Sequence, residues 1–272
     1  MNSEIIAKIE ECERISASKL SVAFQDLQTG GTVRYRSDSP CKTASIIKLP
    51  MLCHIAQCVE EGANRWDEAL IVTDEEKVGG SGILKEMGAG LTLTLRDVCV
   101  LMTIISDNTA TNMLIEKFGV KPFNERMRSL GLPFTTLFRK SYSPDTDESR
   151  EFGFGKTTAD EMLTLMSLLS QGNIGSPECS AEIVGILAEQ NYQDGIPRFL
   201  PSGWRYAGKT GAVDAVRNDV GLVTSPSGDR YVLSIFCQEI PKVLWTPENP
   251  GLLAIAEASR LLLSPDSQVE LS

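Results

Sequence analysis

The stretch Thr43-Ala-Ser-Ile-Ile-Lys-Leu-Pro-Met-Leu52 decides the fold. From it onward Ile47, Met51, Leu52, Ile55 and Val59 recur at helical spacing, which predicts a helix from Ser45 to about Glu61. Pro50 falls early in that helix, where its missing N–H forfeits one hydrogen bond. Upstream the period changes. Residues 20–27 (LSVAFQDL) alternate, Thr29-Gly30-Gly31 turns the chain, and residues 32–37 (TVRYRS) alternate again. That is a β-hairpin, preceded by a short helix over 3–14. Downstream the helical period continues. Thr94 and Asp97 form a capping-box pattern before LRDVCVLMTII. Helices over 109–118 and 121–130 end at Gly119 and Gly131. Thr158 and Glu161 repeat the capping-box pattern before MLTLMSLLSQ, which Gly172 closes, and a helix over 180–190 follows. Strands return near 204–210, 217–224 and 230–238, the last two joined by Ser225-Pro226-Ser227-Gly228-Asp229. A helix from about Pro250 to Leu263 comes last.

Strands at both ends with helices between them predict an α+β fold. Both ends of the chain build one five-stranded antiparallel sheet flanked by terminal helices. An all-helical domain is inserted into it. The expected boundaries are 1–44 and 191–272 for the sheet domain and 45–190 for the helical one, with the active site at their junction. At 272 residues and 42% apolar content the chain buries a full core without staples, as one domain or as two intimately packed ones.

Composition excludes several functions. The net charge of -10 argues against nucleic acid and anionic membrane as partners. No apolar run reaches membrane-spanning length. Residues 1–19 lack a basic stretch followed by an apolar one, so a cytoplasmic protein is expected, or a periplasmic or secreted one if a leader has been removed. Seven cysteines, an odd number with no C-x-x-C pair, read as buried reduced thiols. His54 is the single histidine, which rules out a multi-histidine zinc site. It is expected to be a surface or packing residue. A catalytic serine here would therefore use a base other than histidine. No metal or other cofactor is expected. The sequence does not specify an oligomeric state.

S-x-x-K occurs at Ser16–Lys19, Ser39–Lys42 and Ser45–Lys48, so the pattern alone decides nothing. Only Ser45 opens an apolar helix. There Lys48 lies one turn on, along the same face. A serine hydroxyl is a poor nucleophile until a base takes its proton. A lysine amine serves as that base only when burial or a second cation lowers its pKa. The helix N-terminus also favours negative charge developing there. Ser106-Asp107-Asn108 lies between two helices, where on its own it reads first as an ordinary N-cap. Lys209-Thr210-Gly211 lies on the strand WRYAGKTGA, where it reads equally well as an edge lysine followed by a glycine bulge.

Taken in order, S-x-x-K, S-D-N and K-T-G resemble the signature of class A β-lactamases and penicillin-binding proteins. The resemblance covers nearly the whole chain and includes the hairpin before Ser45, the helices around Ser106 and the strands from Lys209 on. It implies that Ser45 attacks a small-molecule β-lactam, amide or ester carbonyl and becomes acylated. Lys48 is then the general base or proton relay, and Ser106 passes a proton to the leaving nitrogen. Lys209 attracts the substrate carboxylate and helps keep Lys48 neutral. The N–H groups of Ser45 and Ala212, beside Gly211, form the oxyanion hole. Asn108 holds the substrate's side-chain amide and Thr210 contacts its carboxylate. Arg217 is either a second carboxylate anchor or a structural surface arginine.

The chain departs from the class A pattern in one place. The E-x-x-L-N loop that supplies the deacylating glutamate is missing from FRKSYSPDTDESREFGFGKT. Asp145, Asp147, Glu148 and Glu151 stand there instead, either as replacement bases or as solvated loop charges. Without such a base, acylation proceeds while turnover stalls, as in a penicillin-binding protein or an esterase acting on better leaving groups. A different class is suggested by Gly203 to Thr210, which match the phosphate-cradling pattern G-x-x-x-x-G-K-[ST]. A strand-like run follows that match where a phosphate loop needs a helix.

Overall fold

The structure, a computed structural model, describes residues 2–264. Met1 and residues 265–272 of the expected sheet domain lie outside the described residues. Helix α1 (Asn2–Ser16) leads into strands β1 (Lys19–Asp26) and β2 (Thr32–Tyr35), the expected hairpin. After the short strand β3 (Cys41–Lys42), a 3-10 turn (Ala44–Ile47) feeds helix α2 (Lys48–Glu60). Strands β4 (Ala69–Ile71) and β5 (Thr92–Thr94) bracket a long loop. Helices α3 (Leu95–Ile104), α4 (Asn108–Phe118) and α5 (Val120–Ser129) follow. Then come β6 (Thr136–Leu137), α6 (Ser149–Phe152), β7 (Gly155–Thr157), α7 (Ala159–Ser170) and α8 (Pro177–Ala188). Strands β8 (Arg205–Val213), β9 (Val216–Thr224) and β10 (Arg230–Gln238) complete the sheet, and α9 (Pro250–Leu262) packs beside α1.

The main sheet runs β2-β1-β10-β9-β8, antiparallel throughout, which is the expected five-stranded α+β architecture. Its first strand pairs with its last, Val22 opposite Ile235, so the two ends of the chain meet in one element. Both faces of the sheet are covered. Along β10, Leu233 and Ile235 face α1 and α9, whereas Val232 and Phe236 join the helical core around α2 and α7. Phe24 and Phe236 are fully buried on opposite faces. Each such side chain contributes about 1.5–3 kcal/mol of burial free energy. Strand β8 is one of the sheet's two edge strands, and it borders the functional site.

Three local expectations need correction. Ser45 lies in the 3-10 turn rather than in the α-helix, which starts at Lys48. Pro50 explains the shift: it lacks the N–H that an α-helical ladder would direct to the Ile46 carbonyl. The second capping box is half made. Thr158 accepts from the Glu161 N–H at 3.1 Å, but the Glu161 carboxylate turns away to the Phe134 N–H at 2.8 Å and the Thr135 hydroxyl at 2.6 Å. The β8–β9 ladder runs unbroken from Arg205 to Val213, so no bulge follows Lys209. The short strands β3 to β7 were not anticipated, because two or three residues carry no readable alternation.

Candidate active site

The segment before Ser45 is pinned to the sheet. Asn218 on β9 donates to the carbonyls of Lys42 at 2.9 Å and Thr43 at 3.1 Å. The adjacent Ala44 adopts φ 45°, a left-handed conformation that is uncommon for a residue with a Cβ. Such strain persists only where the surroundings over-determine it. Gly211 explains how β8 crosses this turn so closely. A Cβ there would lie 2.7 Å from the Thr43 carbonyl and 3.0 Å from the Ile46 nitrogen. Gly211→Ala is therefore expected to push β8 and the Ser45 turn apart. Activity should fall by about 10²-fold, since misplacement by an ångström costs that much. Steady-state kinetics alongside a melting curve would separate this from unfolding; an unchanged kcat/KM would contradict the close approach.

The S-D-N triplet serves two purposes. Asp107 is the N-cap of α4, accepting from the Ala110 N–H at 2.9 Å. Its second oxygen accepts from the N–H groups of Ile83 at 2.7 Å and Leu84 at 2.9 Å, which ties the long loop to the helix start. Ser106 is held at φ 56°, again left-handed. That turn aims its carbonyl and its hydroxyl at the same amine. Lys48 Nζ donates to the Ser106 carbonyl at 2.7 Å, to Ser106 Oγ at 3.0 Å and to Asn108 Oδ1 at 2.9 Å. Asn108 Nδ2 donates to the Gly79 carbonyl at 3.1 Å and keeps a second hydrogen.

Both lysines of the motifs are fully buried. Burial pushes the Lys48 pKa well below the ordinary lysine range; Lys209 pushes it the same way, and Asp107 opposes. Burial brings Lys209 down to about 7, with Asp219 pulling the other way. Lys209 Nζ donates to the Thr210 carbonyl at 2.9 Å. Gln190 fixes β8 against α3 by donating to the carbonyls of Thr103 and Gly208, both at 3.2 Å.

A cleft of about 260 Å³ opens here, and Ser45, Ser106, Thr210, Gly211, Ala212 and Arg217 all line it. Lys48, Asn108 and Lys209 do not line it; the two lysines are fully buried and Asn108 is half-buried. Arg217 is buried, not a surface residue. Its guanidinium donates to the carbonyls of Val213 and Val216, both at 2.7 Å, and to that of Leu244, and it stacks over Trp245 at 4.6 Å. Three of its five N–H groups are thus committed to backbone. Sequence reasoning missed Ser81, Tyr192, Asp194, Asn218 and Trp245, which also line the cleft or hold it. Nothing in their local sequence marks them.

The four loop acids do not line the cleft. Asp145 pairs with Arg139 at 2.8 Å and Asp147 with Arg150 at 3.0 Å, while Glu148 is exposed. Glu151 borders a separate cavity of about 630 Å³ beside Lys19, Arg36 and Lys42. His54 is 3% exposed and packs edge-on against Phe118 and Phe123, so of its two expected places the structure gives the packed one. Burial lowers its pKa to about 4. Residues 203–210 turn into β8 and open no helix, so no phosphate cradle forms.

The sequence matches the profile of the β-lactamase enzyme family over residues 4–264. A β-lactamase of Streptomyces albus G is 24% identical over 269 residues, covering 96% of this chain and 84% of that protein. One from Bacillus licheniformis is 26% identical, covering 94% of this chain and 81% of that protein. The crystal structure of a β-lactamase from Sphaerobacter thermophilus DSM 20745 superposes with a TM-score of 0.88 at 28% identity, covering 98% of each chain. A mutant of PBP-A, in an acyl-enzyme complex with penicillin G, superposes at 0.85 with 25% identity, covering 98% of this chain and 96% of that one. With its five-stranded sheet and its three motifs in family order, this chain belongs to the β-lactamase enzyme family and is a serine hydrolase of the class A type.

Proposed function

We propose that this enzyme opens β-lactams, or related amides and esters, through an acyl-enzyme at Ser45. The observation that carries this reading is the Lys48 amine, fully buried and surrounded by the Ser106 carbonyl, Ser106 Oγ and Asn108 Oδ1. An amine with a lowered pKa accepts the Ser45 proton, and three acceptors then hold the resulting ammonium. The Ser45 oxygen bonds to the carbonyl carbon, and the N–H groups of Ser45 and Ala212 take the oxyanion. Lys48 returns the proton through Ser106 Oγ to the leaving nitrogen as the C–N bond breaks. Lys209 and Thr210 draw the substrate carboxylate. Arg217 has two N–H groups left to assist them. Asn108 offers its second Nδ2 hydrogen to the substrate's side-chain amide. The site would sit at the junction of the sheet domain (1–44 and 191–272) and the helical domain (45–190).

A second reading concerns turnover. Asp145, Asp147, Glu148 and Glu151 all stand away from the cleft, which favours a long-lived acyl-enzyme in the manner of a penicillin-binding protein. Intact-mass spectrometry after mixing with benzylpenicillin tests both readings. A mass increment that decays with product release supports the hydrolase. A persistent increment supports slow turnover, and no increment with any β-lactam or nitrophenyl ester overturns the reading at Ser45.

The acylation rate should trace a bell against pH. On the acid side it rises as Lys48 loses its proton. On the alkaline side it declines above about pH 7, as Lys209 loses the charge that draws the carboxylate. A neutral ester lacking a carboxylate should show the first limb and not the second.

All seven cysteines are free and five are buried, which supports a reducing compartment. Among the described residues no helix is long and apolar enough to cross a membrane.

A further inference from the structure

Asp194 is the one carboxylate among the described residues lining the cleft. It is partly buried, and among the described residues it makes no hydrogen bond or ion pair. Arg217, the other charged residue of the lining, does not neutralise it. That guanidinium is turned to the carbonyls of Val213, Val216 and Leu244 and to the Trp245 ring.

The position of Asp194 is fixed by its neighbours. The Ile196 N–H donates to Asp219 Oδ2 at 2.8 Å. A Cβ on Gly195 would lie 2.2 Å from that oxygen, so this backbone lies directly against the Asp219 carboxylate. Asp219 is itself paired with Thr210 across β8 and β9. Asp194 is therefore held on the Thr210 side of the cleft, where the carboxylate-bearing, leaving half of a substrate would lie. Tyr192 lines the same cleft, and its hydroxyl donates to the Ile105 carbonyl at 3.2 Å, which fixes the ring. A carboxylate and an anchored aromatic ring lining one cleft attract an organic cation.

We propose that Asp194, with Tyr192, forms a cation subsite that selects substrates carrying a positive charge on the leaving half, beside the carboxylate. This rests on the acyl-enzyme reading of Ser45. Cephalothin and cephaloridine are suitable probes, because they share their acyl side chain and differ at the C3 substituent, acetoxymethyl against pyridiniummethyl. The measurement is the ratio of their acylation efficiencies, cephaloridine over cephalothin. In Asp194→Asn the ratio should fall about fivefold, the scale of one partly exposed charge pair with an aromatic contribution. Raising NaCl from about 0.05 to 0.5 M should shrink the wild-type ratio and leave the variant's unmoved. A ratio that agrees within about twofold between wild type and variant overturns the subsite. Equilibrium binding of the same two compounds to Ser45→Ala, with and without Asp194→Asn, reads the subsite without chemistry. If neither compound acylates the wild type, benzylpenicillin and a nitrophenyl ester decide the Ser45 reading, and this binding pair still decides the role of Asp194.

Discussion

Ser45→Ala is expected to abolish any covalent adduct with benzylpenicillin and to lower hydrolysis of a chromogenic cephalosporin by about 10⁴-fold or more. The reason is local. Ser45 is half-buried at the mouth of the cleft, three residues before a buried amine, in a turn held by Asn218 and by the close passage of Gly211. No other group need change for the loss to be near total, since the cleft and its charges survive. The fold should survive as well. The Ser45 hydroxyl makes no hydrogen bond among the described residues, so its removal strands no buried partner. A melting curve should match wild type within about 0.5 kcal/mol, as for other substitutions away from core and caps. Wild-type rates in this variant, on the cephalosporin and on simple esters alike, would falsify the assignment of the nucleophile.

Lys48→Ala should lose about 10²–10⁴-fold in acylation rate, the usual contribution of a general base. Here the structural consequence is larger. Lys48 is fully buried, and its amine satisfies three acceptors that belong to two residues of the S-D-N turn. Alanine leaves a cavity and orphans those acceptors, at about 1–3 kcal/mol for each one stranded. Lys48→Met separates the two effects, because an unbranched thioether fills most of the volume without carrying a proton. Its acylation rate should also be depressed by about 10²-fold or more, and the acid limb of the pH profile should vanish. A Lys48→Met enzyme with that limb intact would move the base role to another group.

Much of the architecture was legible in the chain. The alternation of LSVAFQDL and YVLSIFCQ, and the helical period from Ile47 to Val59, rest on contacts between residues a few positions apart. Sequence displays such contacts directly. The Thr94 capping box formed as read, Asp97 accepting from the Thr94 N–H at 3.0 Å. The Thr158 box did not close, because Glu161 found the Phe134 N–H and the Thr135 hydroxyl, partners brought in by the packing of a distant loop. The same distinction runs through the site. Ser45, Lys48, Ser106 and Lys209 were visible as residue types in a known order, although Ser45 proved to lie in a 3-10 turn ahead of the helix that the local pattern gave.

What the chain by itself determined is which residue types stand in the family's motif order and, Ser45 apart, on which helices and strands they ride. Tertiary structure alone decided the state of the Lys48 amine: burial and the charge of Lys209 lower its pKa, and both arise from segments far apart in sequence. It also decided which side chains wall the cleft. Asp194, Tyr192 and Trp245 sit on irregular loops whose paths depend on anchors such as Asp219, and no local period encodes that kind of contact.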